Sequence, residues 1–469
     1  MKIIRNNQKL FCCLLLALAL CACNGGKVAE TPTPSATLTP APPTQTPTPT
    51  FTPTVTPTPT ATFTPTATPE ISSEEALIMQ EIEGQVAAIR GLVLAEDYTV
   101  DAWSQSEFDR YVGRKTRLEY PQEEQVRYEV TFGYLGLLDP TSPLQFNAQM
   151  FNVASLALYE ENENEMILRH DPDFNALGRF TYAHELVYAM LDEMVDIDGQ
   201  LGVNDANCDQ HPDRCLALRA LLEGDAAFTC GLWMAAHTTA EEQAEIVAQS
   251  EDIAMDPVME ALPLAFQEDL AFPAKMGTAF VSYLWEQGGW EAINQAYQDP
   301  PQSTEHIMHP ERYPADLPLE VILPDLLPVL GEGWELFDQN MLGEWNLYLM
   351  LTSGVDPAAR QAPEDALAAV EGWGGDTYQV FYHDETSQLL WISVVRWDTR
   401  ADAIEFYNLL NEHETARFNL DDSEGDLIEM FQYLGLGYAR MWHELDTTYL
   451  LLSSEADISR TALEALLED

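Results

Sequence analysis

The sequence predicts an α+β protein: a mainly helical domain with a small β-hairpin before its central helix, followed by a small α+β domain at the C-terminal end. Three observations carry that prediction. Apolar residues recur at helical spacing over 73–93, 175–195 and 216–237. A β-hairpin pattern with a polar tip fills 154–170. From about 358 the tail alternates helical and strand patterns. The 469 residues, 46% of them apolar, leave room for two or three domains. With 77 acidic against 22 basic side chains and a formal net charge of −55, the chain repels phosphate, which excludes a nucleic-acid partner. Residues 1–70 hold only Lys2, Arg5, Lys9, Lys27, Glu30 and Glu70 as charged groups, so the deficit falls on 71–469.

Taken in order, the first element is an address. Lys2, Arg5 and Lys9 precede an apolar stretch over 10–22. That stretch is shorter than the roughly 20 residues of a membrane span but suits a signal peptide. It ends in Leu20-Cys21-Ala22-Cys23, which resembles the lipobox of bacterial lipoproteins, with Cys23 as the lipidated residue because the small Ala22 precedes it. An ordinary secretory signal is the alternative. The expectation is a segment 1–23 that is a lipoprotein signal, a membrane partner through the anchor, and a place in the cell envelope on the extracytoplasmic side. Residues 24–70 form a Thr/Pro-rich stalk, uncharged over 31–69. In polyproline-II form, at roughly 3.1 Å per residue, it reaches on the order of 120 Å.

The remainder divides into 71–340 and 341–469. Ser72 and Glu75 make a capping pattern at the head of the first helix. The hairpin at 154–170 is broken by Asp171-Pro172-Asp173, and a helix over 175–195 follows. A polar loop runs to Cys215, a second helix covers 216–237, and Gly288-Gly289 punctuates the helices that end near 298. Residues 299–335 are proline-rich and irregular. Beyond residue 23 the cysteines are Cys208, Cys215 and Cys230. Cys208 and Cys215 flank a polar loop and are expected as a disulfide outside the cytoplasm, with a metal pair including His211 as the alternative. Cys230 is expected as a buried apolar residue. Asp205, Asn207 and Asp209 begin like an EF-hand loop, but Gln210 and Leu216 stand where Gly and Glu are needed. Gly372-Trp373-Gly374-Gly375 lacks the order of a dinucleotide fingerprint and reads as a tight turn.

The chemistry-bearing pattern lies on the 175–195 helix. Ala183, Val187, Met190, Leu191 and Met194 make a core-facing stripe. His184, Tyr188 and Asp192 fall at i, i+4 and i+8 on a second stripe, expected to face a cleft, with Glu185 one position round. This is the spacing of H-E-x-x-H zinc hydrolases with Tyr188 where the second histidine belongs. A second helix then presents Glu223 in Glu223-Gly224-Asp225-Ala226. The arrangement resembles the gluzincin metallopeptidases. It is similar as well to a family of bacterial lipoproteins with H-E-x-x-H-A-L-x-D, E-G-D-A and P-P-x-S-T-E-x-x-x-H-P-x-x-Y motifs, the last matching 300–313. The resemblance covers about 150–375.

The resemblance implies a zincin-like fold, with His184 as first zinc ligand, Glu185 as the base that activates water, and Glu223 as third ligand. It further implies Asp192 as a carboxylate orienting a ligand, and His309 or Tyr313 as a transition-state donor. Tyr188 departs from the pattern, because tyrosine replaces histidine only as phenolate. The expected function is therefore a metallopeptidase-like domain that has lost catalysis, holds zinc weakly if at all, and binds a peptide or protein ligand. A zinc peptidase with a non-standard ligand set and a non-enzymatic surface interaction protein are the alternatives.

Overall fold

Helix α1 (Ser73–Arg90) starts on a reciprocal cap: Ser72 Oγ accepts from the Glu75 N–H, and the Glu75 carboxylate accepts from the Ser72 N–H. In the computed structural model, which describes residues 71–119, 122–139, 156–169, 174–418 and 438–468, this helix is followed by β1 (Thr99–Trp103), α2 (Gln105–Glu119) and α3 (Gln122–Tyr134). The hairpin expected over 154–170 is β2 (Ala157–Glu160) and β3 (Glu165–Arg169), joined by a 3-10 turn at Glu161–Glu163. Asn164 closes that turn in the left-handed region. β1 was not anticipated. It pairs in parallel with β3, giving a three-stranded sheet of order β1-β3-β2. The signal segment, Cys23 and the 24–70 stalk lie outside the described residues.

The helical part continues with α4 (Ala176–Val195), α5 (Asp205–Gln210), α6 (Pro212–His237), α7 (Ala240–Ala254), α8 (Pro257–Glu260) and α9 (Leu264–Gln298). Asn175 caps α4 through a bond from the Gly178 N–H, and Asp196 in the left-handed region ends it. Gly288 and Gly289 take non-helical torsions and split α9 in two, as the glycine pair implied. Among the described residues no helix is long and apolar enough to cross a membrane.

After α10 (Thr304–Met308) and α11 (Leu327–Leu330) come β4 (Trp334–Asn340), α12 (Gly343–Thr352), α13 (Pro363–Val370), β5 (Trp373–His383) and β6 (Gln388–Trp397). α14 (Arg400–Phe418), β7 (Tyr438–Glu444), β8 (Thr447–Ser453) and α15 (Ala456–Glu468) complete the chain. The second sheet has order β4-β5-β6-β8-β7, with every neighbouring pair antiparallel. The expected boundary at 340/341 falls after β4, an edge strand of this sheet, so the sheet-bearing part begins at Trp334. Nor do the two parts have separate cores. One cluster of buried side chains runs from Met79 through Leu186 and Leu221 to Trp391 and Leu452. A smaller cluster, with Phe381, Ile392 and Leu463, fills the opposite face of the sheet under α15.

Helices α6 and α9 pack with their backbones in direct contact. A Cβ on Gly224 would lie 2.2 Å from the Gly277 carbonyl oxygen, and a Cβ on Gly277 only 1.9 Å from that of Ala220. Backbone thus touches backbone, and no side-chain rearrangement can make room. Gly277→Ala should therefore destabilise the fold by about 3 kcal/mol or more. Gly231→Ala on the same α6, where a Cβ meets nothing within 4 Å, should be neutral or stabilising. Urea unfolding of the two variants checks the contrast.

Candidate functional site

Helices α4 and α6 pack side by side and bring His184, Tyr188 and Glu223 together. The Tyr188 hydroxyl donates to Glu223 Oε2 at 2.8 Å, and His184 Nε2 lies 3.4 Å from the same oxygen. The His184 and Tyr188 rings stand 5.7 Å apart between centroids. Cys230, two turns beyond Glu223, points its thiol at the Phe180 carbonyl at 3.9 Å, and burial pushes its pKa up against the lowering influence of the nearby His184. The expected cleft is closed: His184 is 0%, Glu223 1%, Glu185 3% and Tyr188 5% exposed. A stripe of polar side chains on a helix marks a special face, but not whether another helix covers it.

The other expected members of this site are engaged elsewhere. Glu185 Oε2 accepts the Tyr159 N–H at 3.2 Å. Since β2 is an edge strand, this carboxylate satisfies a backbone donor that no strand reaches. Asp192 accepts from the Ile197 N–H at 2.9 Å and from the Tyr159 hydroxyl at 3.0 Å, fastening the end of α4 to the first sheet.

His309 and Tyr313 belong to a second, larger set of polar groups at the N-terminal end of α6. His309 Nε2 sits 2.8 Å from Glu344 Oε1; burial disfavours its charged form, but Glu344 holds its pKa above the ordinary histidine value. The Tyr313 hydroxyl donates to the Asp299 carbonyl at 2.5 Å, and burial followed by Asp299 raises its pKa to about 12. Close by, Asp213 accepts from the Thr304 N–H and Oγ1–H at 3.0 and 2.6 Å. Asp376 accepts from the Leu342 and Gly343 N–H groups and from Trp373 Nε1. Burial outweighs these hydrogen bonds and raises Asp213 to about 7 and Asp376 to about 6. The Ser303-Thr304-Glu305 part of the 300–313 motif therefore docks α10 onto the first turn of α6.

Glu305, Asp316 and Asp398 place one carboxylate oxygen each within 4.8 Å of one another, a set that can hold a metal ion. Their all-oxygen character suits a hard cation rather than zinc. Arg312 competes for the place: Nη1 is 2.6 Å from Glu305, 3.3 Å from Asp398 and 3.8 Å from Asp316. Glu305 is raised to about 8 by burial first and then by the charges of Glu344 and Asp316. Cys208 and Cys215 are joined by a disulfide with Cα atoms 5.2 Å apart, and Cys230 is a buried free thiol.

A family model described as a domain of unknown function (DUF8575) matches residues 335–427. The matched segment takes in β5, β6 and α14 but none of the α4 and α6 residues above. No curated protein and no solved structure matches the chain.

Sequence reasoning located the His184–Tyr188–Glu223 convergence but missed the buried carboxylates Asp213, Glu344 and Asp376. It also missed Asp225, whose two oxygens take the Arg90 guanidinium at 2.8 Å each. Three residues of the E-G-D-A motif have distinct structural roles: Glu223 meets Tyr188, Gly224 admits α9, and Asp225 neutralises Arg90.

Two outcomes follow from this geometry. Tyr188→Phe leaves a buried carboxylate short of a donor and should cost about 1–3 kcal/mol in urea unfolding. Asp213 and Glu305 hold protons in the folded state that the unfolded chain has already released above its ordinary carboxyl range, so stability falls as pH rises through 7 and 8. The thermal midpoint should be higher at pH 6 than at pH 8. Asp213→Asn should narrow that difference, whatever it does to the midpoint itself.

Proposed function

We propose that this chain is a lipid-anchored extracytoplasmic protein whose helical part keeps a gluzincin-like scaffold but not its catalysis, and that it acts as a binding module. The observation that carries the reading is the Tyr188 phenol donating to Glu223 inside the helix contact. A catalytic zinc site needs three deprotonated protein ligands and an open fourth position for water. Here the second ligand position is a hydrogen-bond donor, and none of the four side chains is more than 5% exposed. Turning a tyrosine of ordinary pKa near 10 into phenolate at neutral pH costs about 4 kcal/mol. That offsets the roughly 3–4 kcal/mol a single ligand contributes to a zinc site. The would-be base Glu185 is committed to the Tyr159 N–H. The residues present therefore do not fit a catalytic zinc ion, and no step is derived through one.

The anchor rests on the Cys23 motif and the stalk on the composition of 24–70. A zinc-dependent peptidase is the second reading. It is favoured by the approach of His184 Nε2 and Glu223 Oε2 to 3.4 Å from the two helices where the first and third ligands are expected. Metal analysis of protein purified without added metal divides the two. Zinc well below one equivalent is the expected outcome, and Tyr188→His should raise zinc affinity by about two orders of magnitude. Near-stoichiometric zinc in the unaltered protein, lost in Glu223→Ala, would overturn the degenerate reading and favour the peptidase.

A further inference from the structure

A groove of about 1070 Å³ separates the start of α6 from the second sheet, at the upper end of the size range for small-ligand sites. Its floor is the β4–β5 face at Gln339 and Gln379, and one wall is the turn from α5 into α6. The opposite wall is an extended strap over 317–323. The Leu319 N–H donates to the Gly374 carbonyl at 2.7 Å, and a Cβ on Gly375 would come within 2.3 Å of the Leu319 oxygen. The glycines of the Gly372-Trp373-Gly374-Gly375 segment thus let the strap lie against β5.

Three properties of the groove define its occupant. The strap turns apolar side chains outward, with Leu317 59% and Ile322 79% exposed. The carboxylates at the surface of the lining are Asp209 and Glu320, beside one fixed cation, Arg214, whose Nε is held by Gln302 at 3.1 Å; Asp213 and Asp376 lie buried behind them, committed to Thr304 and to the Leu342 and Gly343 N–H groups. In the floor, Gln379 Oε1 is a buried acceptor without a hydrogen-bond partner among the described residues. Apolar contacts, negative charge and an amide-bonding floor together match a polypeptide backbone bearing basic and apolar side chains.

We propose that this groove binds a short, linear, cationic peptide in extended form, with apolar side chains against Leu317 and Ile322 and basic ones toward Glu320 and Asp209. The proposal deepens the binding-module reading and rests on it. The other occupants fail on charge. A second copy of this chain shares its formal charge of −55, and an anionic lipid surface is repelled as well. The chain's own stalk has no charge over 31–69, and 419–437 contains Asp421, Asp422, Glu424, Asp426 and Glu429 with no basic residue.

The test uses the full-length protein in non-ionic detergent and a fluorescein-labelled peptide of alternating lysine and valine, followed by fluorescence polarisation at physiological ionic strength. Saturable one-site binding is expected, with none for the alternating glutamate–valine peptide. Glu320→Lys should weaken binding by about tenfold or more. Ile322→Ser should weaken it several-fold. Glu241→Lys, on the exposed first turn of α7 and outside the groove, should leave it unchanged. No binding by the unaltered protein overturns the proposal, and so does equal weakening by Glu241→Lys, which would make the capture a property of overall charge. Mass spectrometry of the recovered peptide separates this proposal from the reading beneath it. Groove-dependent binding with an intact peptide supports both, whereas zinc-dependent cleavage removes the binding-module reading and leaves the groove as its substrate site.

Discussion

The backbone contact between α6 and α9 at Gly224 and Gly277 is the constraint on which the remaining geometry depends. With no side chain between the helices, α6 is fixed in both depth and rotation, and the residues flanking Gly224 are aimed at opposite neighbours. Glu223 is turned to α4, where Tyr188 and His184 meet it. Asp225 is turned to α1 and α9, where Arg90 and the Tyr297 hydroxyl meet it. Arg90 is stacked in turn at 4.5 Å from the Trp290 ring. Neither carboxylate is solvated, so each is tolerable only because that rotation delivers its partners.

The same helix carries the molecule's second polar centre at its other end. Asp213 in the first turn of α6 holds α10 through Thr304, while a Cβ on Gly343 would come within 1.8 Å of Asp213 Oδ1. α12 is thereby pinned where Glu344 meets His309 and where Trp345 reaches Asp269 and packs on Phe272. The helical part and the sheet-bearing part are thus joined through buried carboxyl groups as well as through apolar contact. This explains why one core runs through both and why a division at a single residue misrepresents the chain.

What the sequence made legible follows the range of the forces involved. Capping at Ser72 and Glu75, the periodic stripe of α4 and the glycine break in α9 are local signals, and each lies where the pattern placed it. β1 and β4 depend on partners far along the chain: five residues of mixed polarity pair with β3, and β4 pairs with β5 across an intervening helix pair. At the site, spacing brought His184, Tyr188 and Glu223 onto facing positions but could not reveal that the face is closed. Glu185 and Asp192 have polar duties toward backbone N–H groups, which no motif encodes. Asp213, Glu344 and Asp376 were invisible because, among 77 acidic residues, a buried one has no contrast with a solvated one.

The placement of the three cysteines beyond residue 23 bears on how faithfully the chain matures. Three thiols allow three alternative bridges, one correct. The correct one closes a loop with a sequence separation of 7, so its partners meet often while the chain is still open. Cys230 faces the Phe180 carbonyl in the α4–α6 contact and is withdrawn from exchange once those helices dock. The docked helices therefore keep the one other thiol of 71–469 away from the bridge, so exchange between them requires α4 and α6 to separate first.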